Sequence, residues 1–362
     1  FVVSNPSSHS DVLFQTADET WQAYNSWGGS NVYGGSGPGV AGSAYAVSYN
    51  RPIISRDGGD AATDGEFATA NDMLFTAEYA AIYWMEQNGY DISYISGNQV
   101  ATAPNDALLL NHKVYMDVGH DEYWSDQQYR NVLAAQNAGV NMMFWSGNEV
   151  YWQTRFAPSL NATADPNRTL ITYKDTHANA LIDPTGTATS AFMDARFATT
   201  GGLAGTPANA LTGQVFSVDS PRDDQITLSY GETQLSIWNN TAIQQNTQPG
   251  QTATLSPGLL GYEWDSSPDN GFMPSSLISL SSTTLQVQTQ LLDYGNTTGP
   301  GTATHHLVEF RNPVSGALVF GAGTVYWSFG LSDQHDVVGG ALPPVDPNVQ
   351  QAMVNEFAAM GV

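Results

Sequence analysis

The chemically capable residues of this sequence are concentrated in two short motifs, and each motif directly follows an apolar segment. Residues 119–124 read GHDEYW and residues 146–149 read SGNE. Imidazole, carboxylate and amide groups at one place can transfer protons, orient water or bind an ion. Each residue also has a structural alternative. Asp121 could cap the helix that follows, Glu122 could interact with the dipole of that helix, and His120 could be a hydrogen-bonded loop residue.

The segments around these motifs predict a strand, a helix and a second strand. Residues 113–118 are mostly apolar, as in a buried parallel strand. Ser125, with Gln128 placed for a capping box, predicts the start of a helix that ends at Gly139. Residues 140–145 then form the next strand. Ligands of open parallel sheets bind beyond the carboxyl ends of the strands, so we expect both motifs to converge at one sheet edge.

The rest of the chain predicts an α/β fold with a part rich in β-structure. We expect one domain over residues 1–362, with an α/β core over 1–156 and 258–362 and a β-rich or loop-rich insertion over 157–257. The insertion is predicted from its many Thr, Ser, Asn, Gln, Pro and Gly residues. Further helices are predicted over 72–88 and 347–360, and further strands over 45–49, 90–95, 234–238, 258–264, 306–310, 317–320 and 325–329.

The charge balance of the chain excludes several classes of partner. Ten Lys and Arg residues face 34 Asp and Glu residues, which gives a net charge of −24. Such a surface repels phosphate, so we expect no nucleic-acid partner and no anionic membrane partner. Without a long apolar run, nothing in the sequence is expected to span a bilayer.

Residue usage gives expectations about location and about the kind of site. Cysteine is absent, which excludes disulfides, thiolate metal sites and cysteine nucleophiles. Lys113 and Lys174 are the only lysines, and this scarcity predicts a secreted protein, extracellular or periplasmic. The start, Phe1-Val2-Val3, is interpreted as a processed end or as part of a longer chain.

Six sequence blocks occur together in a recognisable order. The set resembles the C-terminal domain of the large (beta) subunit of N,N-dimethylformamidase, and the resemblance covers nearly the whole chain, least over 157–257. The blocks are LFQTADETWQAYNSWGGSNVY (13–33), VSYNRPI (47–53), GHDEYWS (119–125), FWSGNEVYWQTRF (144–156), GLLGYEWD (258–265) and SGALVFGAGTVYWSFGL (315–331).

The resemblance implies an amidohydrolase with one iron ion, held by two tyrosinates and a glutamate. It also implies a core like that of class I glutamine amidotransferases, without the cysteine nucleophile. Matching the motifs gives Tyr24 and Tyr49 as the tyrosine ligands, with Tyr33 as the alternative to Tyr49. The glutamate ligand corresponds to Glu122, and the catalytic pocket residues correspond to His120, Asn148 and Glu263.

These implied ligands suit the implied metal. Phenolate and carboxylate are hard oxygen donors, which match ferric iron better than zinc. In this interpretation Glu263 acts as general base, and His120 and Asn148 stabilise the oxyanion or orient water. The tyrosines could instead be core residues, and Glu263 could instead balance an arginine such as Arg51.

Three functions remain open from the sequence. The first is an iron-dependent amidohydrolase that cleaves a small-molecule or polymer-borne amide. The second is a non-catalytic secreted module that binds glycan or another polymer through its many Trp and Tyr residues. The third is a metal-dependent hydrolase of another bond. The family enzyme has a partner subunit and further large-subunit domains, so further domains of a longer chain are an additional expectation.

Overall fold

A computed structural model describes residues 2–53, 74–103, 108–336 and 343–362 and has a mixed α/β architecture. Its strands in chain order are β1 (Val12–Thr16), β2 (Ala46–Ser48), β3 (Ile92–Ser96), β4 (Val114–Gly119), β5 (Tyr123–Ser125), β6 (Asn141–Ser146), β7 (Trp152–Ala157), β8 (Thr169–Ile171), β9 (Val215–Asp219), β10 (Thr227–Ser229), β11 (Thr252–Thr254), β12 (Glu263–Ser266), β13 (Ile278–Ser279), β14 (Thr283–Leu292), β15 (Thr297–His305), β16 (Val308–Arg311) and β17 (Leu318–Gly321).

The helices surround and connect these strands. In chain order they are α1 (Asp18–Tyr24), α2 (Tyr79–Gln87), α3 (Gly97–Thr102), α4 (Asp126–Ala138), α5 (Asp175–Ala178), α6 (Tyr230–Thr233), α7 (Ala242–Asn246) and α8 (Pro347–Ala359). A π-helical turn, Leu74–Glu78, leads into α2. The first two residues of the predicted 72–88 helix lie outside the described part of the chain.

The largest sheet in the described residues has the strand order β13-β16-β17-β6-β4-β1-β3. Its strands β3, β1, β4, β6 and β17 run parallel, and β16 and β13 extend it antiparallel. Every residue of β4 is buried, and so is almost every residue of β6. Burial on both faces explains why these two strands are apolar runs in the sequence rather than alternating patterns.

The predicted strand–helix–strand unit is present as β4, α4 and β6. The hydroxyl of Ser125 accepts a hydrogen bond from the backbone N–H of Gln128 at 3.1 Å, which caps α4. Gly139 ends the helix with φ +109°, a left-handed conformation that glycine adopts at little cost. Ser125, and not Asp121, therefore caps this helix.

Antiparallel pairing dominates the smaller sheets of the described residues. One four-stranded sheet has the order β12-β9-β14-β15, and its β9 comes from the predicted insertion while the other strands follow residue 257. A second sheet has the order β2-β8-β7-β5. Strands from both sides of the predicted boundary thus pair with each other. The division into core and insertion, and the glutamine amidotransferase-like core, stay predictions.

Two predicted strands are wrong, and a third, over 258–264, is a regular strand only at its end, because β12 begins at Glu263. Residues 234–238 follow helix α6 and include a 3₁₀-helix, Ser236–Trp238, because Ser229 and Glu232 form a capping box that starts a helical turn. Residues 325–329 include another 3₁₀-helix, Trp327–Gly330. Residues 325–329 and the pair Ile237–Trp238 are buried, and short segments with buried apolar residues do not distinguish strands from buried helical turns.

No helix in the described residues is long and apolar enough to cross a membrane.

Candidate functional site

The two motifs lie side by side beyond the carboxyl ends of β4 and β6. Gly119 pairs with Ser146 at the ends of these parallel strands, so His120 and Glu122 follow one strand and Asn148 follows its neighbour. Helix α1, which follows β1 in the same sheet, ends at Tyr24 beside them. Strand order alone therefore brings four of the predicted site residues to one edge.

Three oxygen-bearing side chains converge at this edge. The Tyr24 hydroxyl lies 2.8 Å from Glu122 Oε2, and the Tyr33 hydroxyl lies 2.7 Å from the same oxygen and 2.9 Å from Oε1. The two phenol oxygens are 2.8 Å apart. The Tyr123 hydroxyl donates to the Tyr33 oxygen at 2.6 Å. Tyr24, Tyr33 and Glu122 are called the tyrosine–glutamate site below.

The loop after α1 is folded back so that Tyr33 reaches Glu122. Asn31 is fully buried and bridges the loop, since its Nδ2 donates to the Tyr24 carbonyl at 3.2 Å. Its Oδ1 accepts from the backbone N–H groups of Tyr33 and Gly34 at 2.8 and 2.9 Å. A short amide side chain thus replaces regular secondary structure in fixing the position of Tyr33.

Tyr49 lies elsewhere. Its hydroxyl is buried and lies near the Asp18 carboxyl, and its ring packs near Phe156, with a centroid distance of 5.9 Å. Burial and the charge of Asp18 raise the pKa of Tyr49 well above its usual value. The structure therefore brings together Tyr24, Tyr33 and Glu122, and it does not bring Tyr49 into contact with them.

His120 links the tyrosine–glutamate site to a second carboxylate and an amide. Its Nε2 lies 3.0 Å from Glu263 Oε2 and 3.6 Å from Glu122 Oε2. The same nitrogen is 3.1 Å from Asn148 Nδ2. One ring nitrogen donates to Glu263 when it carries a proton and accepts from Asn148 when it does not. This arrangement can therefore exchange a proton at a fixed position.

Asn148 is held in a conformation that its neighbours impose. Its φ is +50°, in the left-handed region, and its backbone N–H donates to Asp265 Oδ1 at 2.9 Å. The preceding Gly147 lies so close to the backbone of Thr324 and Val325 that a Cβ would come within 2.7 Å of the Val325 nitrogen. Glycine at 147 and the Asp265 carboxyl together direct the Asn148 side chain toward His120.

The two site tyrosines are neutral in the protein without a cation. Burial, followed by the negative charge of Glu122, raises the pKa of Tyr24 and of Tyr33 well above the usual tyrosine value. Both phenols therefore keep their protons and can donate to Glu122. A bound cation would reverse this effect, because its positive charge favours phenolate.

The donor set fits a hard metal ion only when the tyrosines are included. Within the described ranges, no group of three or more His, Asp or Glu side chains is arranged to hold a metal ion. Tyr24, Tyr33 and Glu122 instead offer oxygen atoms that already lie within hydrogen-bond distance of one another. Oxygen-only donation of this kind matches a hard cation.

The site opens into a cavity of about 660 Å³, whose walls include residues that the sequence interpretation missed. Lys174 is largely buried, and its ammonium lies 3.3 Å from the centroid of the Tyr33 ring. It also lies 5.1 Å from the ring centroid of Trp152. The rarity of lysine was the one sequence signal that could have singled out Lys174. The wall residues Tyr151 and Tyr262 lie within resemblance blocks but were not singled out, and Phe216 lies outside every block.

A family model described as N,N-dimethylformamidase beta subunit-like, C-terminal, matches residues 1–338. The chain belongs to this family. Its resemblance blocks, the tyrosine–glutamate site and the cavity all lie within the matched residues. Membership suggests a dimethylformamidase-like hydrolase, an amidase in its general class. No curated protein matches the sequence.

Proposed function

We propose that this protein is an iron-dependent amidohydrolase that cleaves a C–N bond of the amide or formamide type. One observation carries the proposal, which is the convergence of Tyr24, Tyr33 and Glu122 within 2.7–2.9 Å contacts beside the His120–Glu263 pair. Hydrogen-bonded phenols alone would suffice for a structural role. A histidine and a second carboxylate at the mouth of a large cavity add the groups that hydrolysis requires.

Tyr24, Tyr33 and Glu122 would hold the iron in this proposal. Three anionic oxygen donors nearly neutralise a ferric ion and leave room for water and substrate. When bound, the ion would polarise the amide carbonyl and lower the pKa of water. Tyr33 replaces Tyr49 as the second tyrosine ligand in this proposal because the Tyr33 hydroxyl contacts Glu122, whereas the Tyr49 hydroxyl lies near Asp18.

Glu263, Asn148 and His120 carry out the proton transfers and stabilise the developing charge in this proposal. Glu263 accepts a proton from the attacking water while the oxygen of that water forms a bond to the carbonyl carbon. The amide of Asn148 donates to the carbonyl oxygen as negative charge develops there. His120, 3.0 Å from Glu263, carries the proton to the nitrogen of the departing amine. The C–N bond then breaks, and the products are a carboxylic acid and a neutral amine.

Metal content and amide hydrolysis test the proposal together. Protein purified without chelator is analysed for iron, its visible spectrum is recorded, and it is assayed for dimethylamine release from N,N-dimethylformamide and for amine release from larger formamides. We expect about one iron per chain, a tyrosinate-to-iron charge-transfer band and hydrolysis of at least one amide.

The alternatives give different results in the same assays. Protein that stays free of iron after iron is offered, with fluorescence that responds to polysaccharides, would favour a binding module. Bound iron with hydrolysis of esters or glycosides but not of amides would favour a hydrolase of another bond.

We also propose an extracellular or periplasmic location, with a small-molecule or polymer-borne amide as substrate. The net charge of −24 and the presence of two lysines support this location. Fractionation of the native host, followed by detection of the protein with a specific antibody, tests it.

A further inference from the structure

The cavity at the tyrosine–glutamate site adjoins a second hollow. The first has a volume of about 660 Å³, and the second has a volume of about 370 Å³. Phe216, Leu291 and Gly295 line both. Cavities of about 300–1,000 Å³ hold drug-sized ligands, so the first hollow alone greatly exceeds what N,N-dimethylformamide fills.

The two hollows differ in chemistry. The charged groups Glu122, Glu263 and Lys174 belong to the first hollow, on the side of the proposed reaction. The second is lined by the apolar residues Met193, Pro207, Val215, Pro268 and Phe272 together with the uncharged polar residues Ser217, Asn270, Gln290 and Tyr294, and none of the described residues that line it is charged. A charged substituent of a ligand would lose hydration there and would find no oppositely charged side chain among the lining residues. A hydrocarbon substituent would be stabilised by burial of its apolar surface.

Strand β14 supplies Leu291 to the shared wall, β9 supplies Phe216, and Gly295 lies in the turn after β14. The Leu291 side chain lies between the hollows, and Leu292, the next residue, is exposed and points to the opposite face of the strand. The Tyr151 hydroxyl donates to the carbonyl of Tyr294 at 3.0 Å, which ties the end of the hairpin to the site. The antiparallel sheet thereby forms one side of a pocket whose other side comes from the parallel sheet.

We propose that the substrate is an amide with one long, neutral, mainly hydrocarbon substituent. Its amide group lies at the tyrosine–glutamate site, and the substituent extends past Phe216 and Leu291 into the second hollow. This inference rests on the proposed function for the reaction, and it adds the class of substrate.

A homologous series of N-methyl-N-alkylformamides, from the methyl to the octyl compound, tests it with the iron-loaded protein. We expect kcat/KM to rise by roughly two- to fourfold per added methylene until the hollows are filled. The dissociation constant of each compound, measured by calorimetry, should fall in parallel. This second measurement reports on the hollows even when no turnover occurs.

Two matched variants locate the effect. Leu291→Trp fills the shared wall and should lower kcat/KM for the octyl compound by at least about tenfold and weaken its binding, with the iron content retained. Leu292→Trp adds the same side chain on the opposite face and should leave both values unchanged. Ala195→Trp, at the exposed rim of the second hollow, should remove the gain for the longest chains first.

The outcomes separate this inference from the proposed function. Hydrolysis of N,N-dimethylformamide with flat or falling kcat/KM along the series would overturn the substrate class and leave the reaction standing. Absence of any amide hydrolysis, with binding that still strengthens with chain length and weakens in Leu291→Trp, would overturn the reaction and support the hollows as the binding site. Binding that does not depend on chain length, or equal effects of Leu291→Trp and Leu292→Trp, would overturn the inference.

Discussion

Two sites that contain acidic side chains lie at the same edge of the parallel sheet, and they differ in what surrounds those side chains. The tyrosine–glutamate site faces the cavity, and its carboxylate accepts hydrogen bonds from two phenol hydroxyls. A second group, here called the buried acidic cluster, is enclosed behind it. Its members are Asp18, Glu19, Asp117, Asp121, Glu149 and Asp265, each buried.

The buried acidic cluster consists largely of carboxyl groups paired with one another. Asp117 hydrogen-bonds to Asp121, and Glu149 hydrogen-bonds to Asp265. Burial, with added repulsion from Asp18, raises the pKa of Asp121 to about 8. Burial raises the pKa of Asp265 to about 6, and it raises that of Glu149 well above its usual value. Some of these carboxyls are therefore protonated and donate to their neighbours, which lowers the free-energy cost of burying the cluster.

The comparison shows that acidic composition does not by itself mark a reactive site. The carboxyls of the buried acidic cluster are enclosed, whereas Glu122 lies beside phenols, a histidine and open space, and for this reason we propose that it binds an ion. The following predictions separate these two roles, beginning with the largest expected effect.

Replacing the site carboxylate should abolish the proposed activity. Glu122→Gln removes the charged ligand and should reduce iron to trace levels and lower kcat/KM for amide hydrolysis by about 10³-fold or more. The matched control is Glu149→Gln in the buried acidic cluster, where an amide still donates to Asp265. That variant should keep iron and most activity. Iron retained in a folded Glu122→Gln protein would contradict the assignment.

Replacement of the two candidate tyrosine ligands, Tyr33 and Tyr49, should have different effects on metal binding. Tyr33→Phe should lose most of the iron or the charge-transfer band, with activity reduced by roughly 10- to 100-fold. Tyr49→Phe should keep both and change the stability by no more than about 1 kcal/mol, because it removes only a buried hydroxyl that lies outside the tyrosine–glutamate site. The measurements are iron per chain, the visible spectrum and urea unfolding. Loss of iron in Tyr49→Phe but not in Tyr33→Phe would instead support Tyr49 as the ligand.

Asp265 connects the two regions, so it should act as a positioning residue. Asp265→Ala removes the acceptor for the Asn148 backbone N–H and should lower kcat by about tenfold with little change in KM or iron content. Asp265→Asn keeps an acceptor oxygen and should restore most of kcat. Equal losses in both variants, or a change confined to KM, would argue against this role.

The smallest expected effect is on the pH dependence of stability. Folding raises the pKa of Asp121 from 3.8 to about 8, so its contribution is fully present below about pH 4 and is lost as the pH rises through 8. Stability of the metal-free protein should therefore fall between about pH 5 and about pH 8.5. Asp117→Asn imitates the protonated carboxyl that donates to Asp121 and should reduce this fall by about 1 kcal/mol or more.

Urea unfolding at the two pH values checks this prediction. Asn312→Asp, which places a new carboxyl at a buried amide position outside the cluster, serves as the opposite control and should steepen the fall. An unchanged slope in Asp117→Asn would show that the cluster does not carry the pH dependence.

The strand–helix–strand unit and the edge at which its motifs meet were predictable because their signals are local. The apolar run of β4, the Ser125 cap and Gly139 each act within a few residues. The family was predictable too, since its ordered blocks are properties of the sequence itself. Apolar segments without such caps, such as residues 325–329, were assigned the wrong backbone conformation because burial and strand pairing leave the same pattern.

The tertiary structure alone decided which side chains meet. Tyr33 lies in the loop after α1 and Tyr49 directly follows β2, and the choice between them depends on Asn31, which folds the loop back so that Tyr33 reaches Glu122. Lys174 reaches the Tyr33 ring from a distant part of the chain. Sequence fixes periodicity and caps because these depend on near neighbours. Contacts between distant segments depend on how the sheets pack, and only the folded chain specifies that.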